Sequence, residues 1–378
     1  MVAPISAPET AGTLSLAADA SGEPSSRARK PSPAGLLLTL AAASSGGYAA
    51  LLVAIPLPWV LGSMLGTAFI MLTGYGARQP MYGRRAAQIT IGTALGLTFT
   101  AEVIRQVASL GHWMLLGAAF SIALTMLFSR LIQRLAGMDG PTAIYSVAVG
   151  ASAEMALQAQ QAGASGAQVA SAHAIRIILV VSLASAVAHY SGEKAGPYVS
   201  LATPAISMQL ALVFVFLAPL CGWLGSRAHL PNAWLLSPLL MAGVFAASGV
   251  TARMFPAALV AAQILIGWSL GQHMTRQFFL KSPRMLASAA LVTLGMLTIC
   301  IAVAWSLSQT GAISLLTGFL AIAPGGTAEM AIIAKTFGIG APVVTAFHFF
   351  RVIATVLSIG WVARTLLRSG WVKQNGLT

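Results

Sequence analysis

Residues 323–331 read APGGTAEMA and residues 148–156 read AVGASAEMA, one segment written twice at an interval of 175. Each copy puts Gly, and the later copy also Pro324, just before an Ala-Glu-Met-Ala run. Pro and Gly interrupt helices. Broken backbone at membrane depth is tolerated only where protein or water covers it. A carboxylate there costs ~2.5–3.5 kcal/mol or more, so it is paired or functional by default. The segment describes an interrupted, polar stretch that occurs in duplicate.

Its surroundings are apolar. Of 378 residues, 57% are hydrophobic and only 8% charged, with a mean hydropathy of +0.83. Soluble domains carry roughly 25% charged residues, so most soluble classes are excluded. The expected fold is an all-α polytopic membrane protein. Windowing gives twelve apolar segments, at about 34–55, 57–75, 85–106, 112–133, 141–160, 166–190, 203–224, 232–251, 256–279, 285–308, 312–334 and 341–366. The fifth and eleventh, which hold the repeated motif, are weak. Trp59, Trp113, Trp223, Trp234 and Trp361 fall near segment ends, as interfacial anchors do.

The duplication reaches well beyond the motif. At the same offset Trp59 meets Trp234, Ala86-Ala87-Gln88-Ile89 meets Ala261-Ala262-Gln263-Ile264, and His173 and Arg176 meet His348 and Arg351. Residues 56–185 and 231–360 share 31 identities in 130 ungapped positions. Bias toward Ala, Gly and Leu cannot produce matched Trp, Gln, Glu, His and Arg. Two tandem repeats of five to six transmembrane segments are expected, carrier-like and with broken helices, at 34–200 and 201–367. Residues 1–33, rich in Ala, Ser and Pro, form a disordered cytoplasmic tail, and 368–378 a C-terminal one. A cleaved signal peptide is the rival reading of the N-terminus, against which its lead of roughly 30 residues counts.

The net charge is +13. In a soluble chain that would suggest nucleic acid. Here the basic residues cluster between apolar runs and orient the chain by the positive-inside rule. No nucleic-acid-binding motif is visible, so no direct contact with nucleic acid is expected. If all twelve segments cross, 13 Lys and Arg fall on the side of the N-terminus and 6 on the other. The cluster Arg276, Lys281, Arg284 opposes that count. If one weak segment per half only re-enters, each half has five crossings and the second half is inverted. Both topologies stay open. Cys221 and Cys300 lie in separate apolar runs and form no CxxC. The GxxxG pairs Gly62–Gly66, Gly92–Gly96 and Gly267–Gly271 predict close helix packing. His112, His189, His229 and His273 sit near segment ends as interfacial groups.

Of eight acidic residues, Glu154 and Glu329 lie inside the two weak apolar segments and are related by the repeat. Each is followed 19 residues later by His (His173, His348) and 22 residues later by Arg (Arg176, Arg351). The His and Arg are three apart and share a helix face. One reading is a structural Glu–Arg ion pair in each half. Another is a polar substrate site between the halves, with the histidines as proton-switching groups. A third, a metal site of two Glu and two His, lacks supporting spacing. Ser152 and Thr327, with Gly325 and Gly326 beside the latter, are the expected N-caps of helices whose free N–H groups face a site. Gln88 and Gln263 bond across helices or line a path.

The unit with LPWVLGSMLG near its start, then APGGTAEMAIIAKTFG and HFFR, resembles the bacterial AbrB-type membrane protein family. The first copy, VGASAEMALQAQQAG and then HAIR, departs from the motif by having Val149 and Ala151 in place of Pro324 and Gly326. The resemblance covers about 34–367. It implies a role in regulation of gene expression, since the family is described as affecting expression of a DNA-repair-related gene. Many members also carry an ammonia monooxygenase label, but six histidines spread singly do not suit copper.

The resulting expectation is a multi-pass protein of the bacterial inner membrane, N-terminus cytoplasmic. It would affect gene expression indirectly, through transport or sensing of a small solute or ion. The alternatives are a secondary transporter without regulatory role, a membrane regulator acting through a protein partner, and a metal-dependent monooxygenase. No enzyme activity and no cofactor are expected; the expected partners are the lipid bilayer, a small solute and a second copy of the chain.

Overall fold

A computed structural model describes residues 32–190 and 204–374, apart from 56, 151, 231, 282 and 312. The expected tail up to residue 31, the boundary at 200/201 and the last residues of the C-terminal tail lie outside these residues. The described part is helical, with one isolated bridge between Ala205 and Arg253.

The first half comprises α1 (Pro33–Leu52), α2 (Pro58–Leu72), α3 (Met81–Gly96), α4 (Ala101–Ser109), α5 (Gly111–Ala136), α6 (Gly140–Val147), α7 (Ser152–Gln161) and α8 (Gly166–Tyr190). The second comprises α9 (Met208–Arg227), α10 (Ala233–Ala247), α11 (Pro256–Gly271), α12 (Arg276–Lys281), α13 (Pro283–Ser308), α14 (Leu315–Ile322), α15 (Thr327–Thr336) and α16 (Ala341–Arg368). Adding 175 to the bounds of α1, α2, α3, α6 and α7 returns those of α9, α10, α11, α14 and α15.

Helices α1, α5, α8, α9, α13 and α16 are each long and apolar enough to cross a membrane. Leu37, Phe216, Leu357 and Trp361 on their outer faces are exposed, as lipid-facing side chains are. The chain is a polytopic α-helical membrane protein. Two expected spans are corrected. Segment 85–106 is not one helix: α3 stops at Gly96 and α4 leaves at 91°. Thr100 caps α4 by accepting from the Val103 N–H, Glu102 pairs with Arg105, and no α4 residue is buried. Polar termini and a strongly two-sided pattern favour a helix lying across the bundle rather than through it. Segment 256–279 likewise ends its helix at Gly271, and α12 starts afresh at Arg276.

The glycine pairs fix how α1–α3 and α9–α11 pack. A Cβ on Gly62 would meet the Gly46 carbonyl, and one on Gly66 the Ala42 carbonyl, which seats α2 antiparallel on α1. Gly92 and Gly96 lie against the Leu235 and Leu239 carbonyls, so α3 runs parallel to α10. Gly267 and Gly271 lie against the Val60 and Met64 carbonyls, so α11 runs parallel to α2. Each half thus lends its third helix to the other half's second.

These contacts decide the topology. The indole N–H of Trp268 donates to the Ala77 carbonyl at 3.1 Å, and the Gln79 N–H donates to Gln272 Oε1 at 2.7 Å. The entry to α3 therefore sits at the exit of α11, and the two are antiparallel. Since α2 follows α11 and α10 follows α3, α2 and its repeat mate α10 point opposite ways. The halves are inverted.

The weak segments fold back. Thr142, near the start of α6, accepts from the Ser165 N–H, just past α7, at 2.9 Å. A Cβ on Gly340, past α15, would meet Thr317 at the start of α14. So α6–α7 and α14–α15 are re-entrant hairpins, and the topology in which all twelve segments cross is corrected. The hairpins enter from opposite ends. Lys335, near the end of α15, donates to the Ala94 carbonyl at 2.5 Å, at the exit end of α3. Gln133, Lys373 and Leu135, the last as acceptor from Arg284, gather at the other end with the start of α6.

Inversion regroups the charges. Among the described residues, Arg78, Arg84, Arg85, Arg130, Arg134, Arg227, Arg276, Lys281, Arg284, Arg364, Arg368 and Lys373 belong to the end that holds the α3 entry. Only Arg105, Arg253 and Lys335 belong to the other. The cluster at 276–284 that opposed the earlier count now joins the majority.

Candidate functional site

The hairpin tips meet between the two halves. Val149, at the first tip, accepts from the Thr355 hydroxyl of α16 at 3.2 Å, so the tip of one half is held by a helix of the other. At the second tip α14 ends with Ala323 extended, and α15 begins after Gly326. The expectation that Thr327 caps α15 is corrected. Gly326 is the N-cap residue, with no side-chain cap, and Thr327 is the first helical residue. Ser152 opens α7 in the same way. The α15 start has its own anion: Glu329 folds back so closely that a Cβ on Gly326 would overlap its carboxylate. A carboxylate over the first turn of a helix is favourable.

The repeated spacing of His and Arg has a different use from a site. A helix that stops mid-bundle leaves its last carbonyls without partners. In the second half His348 Nε2 lies 2.8 Å from the Leu320 carbonyl oxygen. Arg351 donates to the carbonyls of Ala323 at 2.6 Å and Gly325 at 2.9 Å. In the first half His173 Nε2 lies 2.9 Å from the Tyr145 carbonyl, and Arg176 donates to Ala148 at 2.9 Å. The arginines also reach the Nδ1 of their own histidines. This network assigns Nε2–H as donor and Nδ1 as acceptor, the neutral imidazole. The arginines therefore serve carbonyls, not Glu154 or Glu329. Among the described residues the ion pair is Arg105–Glu102, on α4.

A cavity of about 330 Å³ opens at the tips. From the expected set it gathers Gln88, Ser152, Glu154, Arg176, Gly325, Gly326, Thr327 and Glu329. It does not gather His173, His348 or Arg351, which stand behind the tips, nor Gln263 on α11. Sequence reasoning missed Arg84, Arg85, Asn232 and Trp234, which line the mouth. Arg84 and Arg85 had passed as topogenic charges, and their repeat mates Leu259 and Val260 gave no signal. The Arg85 guanidinium stacks 4.6 Å from the Trp234 ring centroid. Gln88 Nε2 donates to Asn232 Oδ1 at 2.9 Å, and the Asn232 N–H donates to Glu154 Oε1 at 3.3 Å. That chain ties α3, α10 and α7 together along one wall. Arg84 and Arg85 place the mouth at the basic end of the bundle.

No group of three His, Cys, Asp or Glu side chains among the described residues is arranged to hold a metal ion. A profile of the AbrB family, described as "Transition state regulatory protein AbrB", matches residues 59–367. The chain belongs to that family. It is 26% identical over 337 residues to "Putative regulator AbrB" of Escherichia coli (strain K12), covering 87% of this chain and 95% of that one. It is 26% identical over 349 residues to "Uncharacterized protein YhjN" of Bacillus subtilis (strain 168), covering 84% and 89%.

Proposed function

We propose that this AbrB-family protein is a solute-binding carrier of the bacterial inner membrane, and that any effect on gene expression is indirect, through the solute it moves or senses. The observation that carries this reading is the cavity at which two oppositely entering hairpins present their tips. Inverted repeats with broken helices at a central site are the architecture of many secondary carriers. The basic end is the cytoplasmic one by the positive-inside rule. On this reading the N-terminus is inside and the cavity opens to the cytoplasm. The name of the Escherichia coli relative supports a regulatory connection. The chain is read as no enzyme and without a cofactor. A second copy of the chain is a further expected partner.

The test is a solute screen by thermal shift on the purified full chain, followed by uptake into proteoliposomes. The reading expects a stabilising solute whose uptake stops in Glu329→Gln while folded protein still accumulates. Absence of any stabilising solute, or full uptake by Glu329→Gln, overturns it.

A further inference from the structure

We propose that the cavity takes a small organic anion with one carboxylate and an apolar body; this rests on the solute-binding reading above. The wall carries three guanidiniums, Arg84, Arg85 and Arg176, against two carboxylates, Glu154 and Glu329. Both carboxylates are already engaged. Glu154 accepts from the Asn232 N–H, and Glu329 lies over the start of its own helix. The unused capacity is on the donor side. Arg176 is only 3% exposed and lines the cavity; its Nη1 is committed to the Val147 and Ala148 carbonyls, so it contributes charge to the wall, while Arg84 and Arg85 at the mouth offer the accessible guanidiniums. The starts of α7 and α15, each ten residues long, bring their positive ends to the same space. One negative charge balances the wall. Trp234, Ile177, Ile266 and Val352 add apolar lining beside the polar groups and suit a hydrocarbon or aromatic body.

The experiment measures the melting temperature of the detergent-purified full chain at constant ionic strength. The probes are butyrate and benzoate, their neutral amides, butylammonium and benzylammonium, and inorganic phosphate. The expected result is a saturable rise with the carboxylates alone. In Arg85→Gln the half-maximal concentration should rise about tenfold or more, as loss of a charge-assisted bond implies. Arg84, which is exposed, supplies Arg84→Gln as a second variant if the first does not accumulate. An equal rise with amides or ammonium ions overturns the anion and leaves the solute-binding reading standing. An equal rise with phosphate overturns the apolar body. An unchanged response in both Arg variants overturns the site. No response to any probe overturns the proposal; if the wider solute screen is also empty, the carrier reading falls with it.

Discussion

Arg351 donates through Nη1 to the carbonyl oxygen of Ala323 at 2.6 Å, and thereby caps the half-helix α14 from a neighbouring full-length helix. The guanidinium replaces the missing helical turn, and its charge suits the negative end of the helix. With His348 it makes the interruption at Pro324–Gly326 affordable inside a membrane protein. Arg176 and His173 do the same for α6.

Arg351→Gln should therefore destabilise the fold by about 2–4 kcal/mol, since bonds to charged groups are worth about 1.5–3 kcal/mol each. Membrane accumulation and melting temperature report it. Exchanging the charges of Glu329 and Arg351 should give no rescue. Rescue by the exchange would restore the Glu–Arg ion pair.

The histidines should behave as donors rather than as proton switches. His348→Gln keeps an N–H near the Leu320 carbonyl and should accumulate close to wild type. His348→Phe leaves that carbonyl unmet and should lose about 1–3 kcal/mol. Similar melting temperatures for the two would show that the Nε2 bond is not what His348 supplies.

Close approach at the shared helices is sharply position-dependent. Gly267→Val should abolish folded protein, because its Cβ would enter the Val60 carbonyl. Gly111→Val should be tolerated, because nothing lies within 4 Å of a Cβ there. Size-exclusion profiles of the two variants give the comparison.

Gly326→Ala should separate site from fold. Its Cβ overlaps the Glu329 carboxylate, a movable group, and not backbone. Folded protein should accumulate while the affinity for the stabilising solute changes. An unaltered affinity would show that the Glu329 position does not matter to binding.

Much of this was legible in the sequence. The repeat offset, the broken segments and the tip residues from Gly325 to Glu329 are written in matched residues. Orientation was not, because hydropathy does not distinguish a hairpin that returns from a span that crosses. Only pairings such as Thr142 with Ser165 and Gly340 with Thr317 reveal the return. The role of Arg176 and Arg351 was hidden for a related reason. Their partners are carbonyls, which every residue has, so no residue type marks them. Arg84 and Arg85 escaped because the cavity is lined unequally by the two halves, and a search by symmetry cannot find a feature present once.

The most direct measurement is the sidedness of the two hairpin tips. In a chain with Cys221 and Cys300 replaced, Ser152→Cys and Thr327→Cys are probed with a membrane-impermeant thiol reagent. Ala228→Cys marks the basic end and Gln309→Cys the opposite one. The account predicts that Thr327→Cys reacts from the Ala228 side, together with Ser152→Cys, although its hairpin enters from the Gln309 side. Reaction of Thr327→Cys from the Gln309 side alone would contradict it.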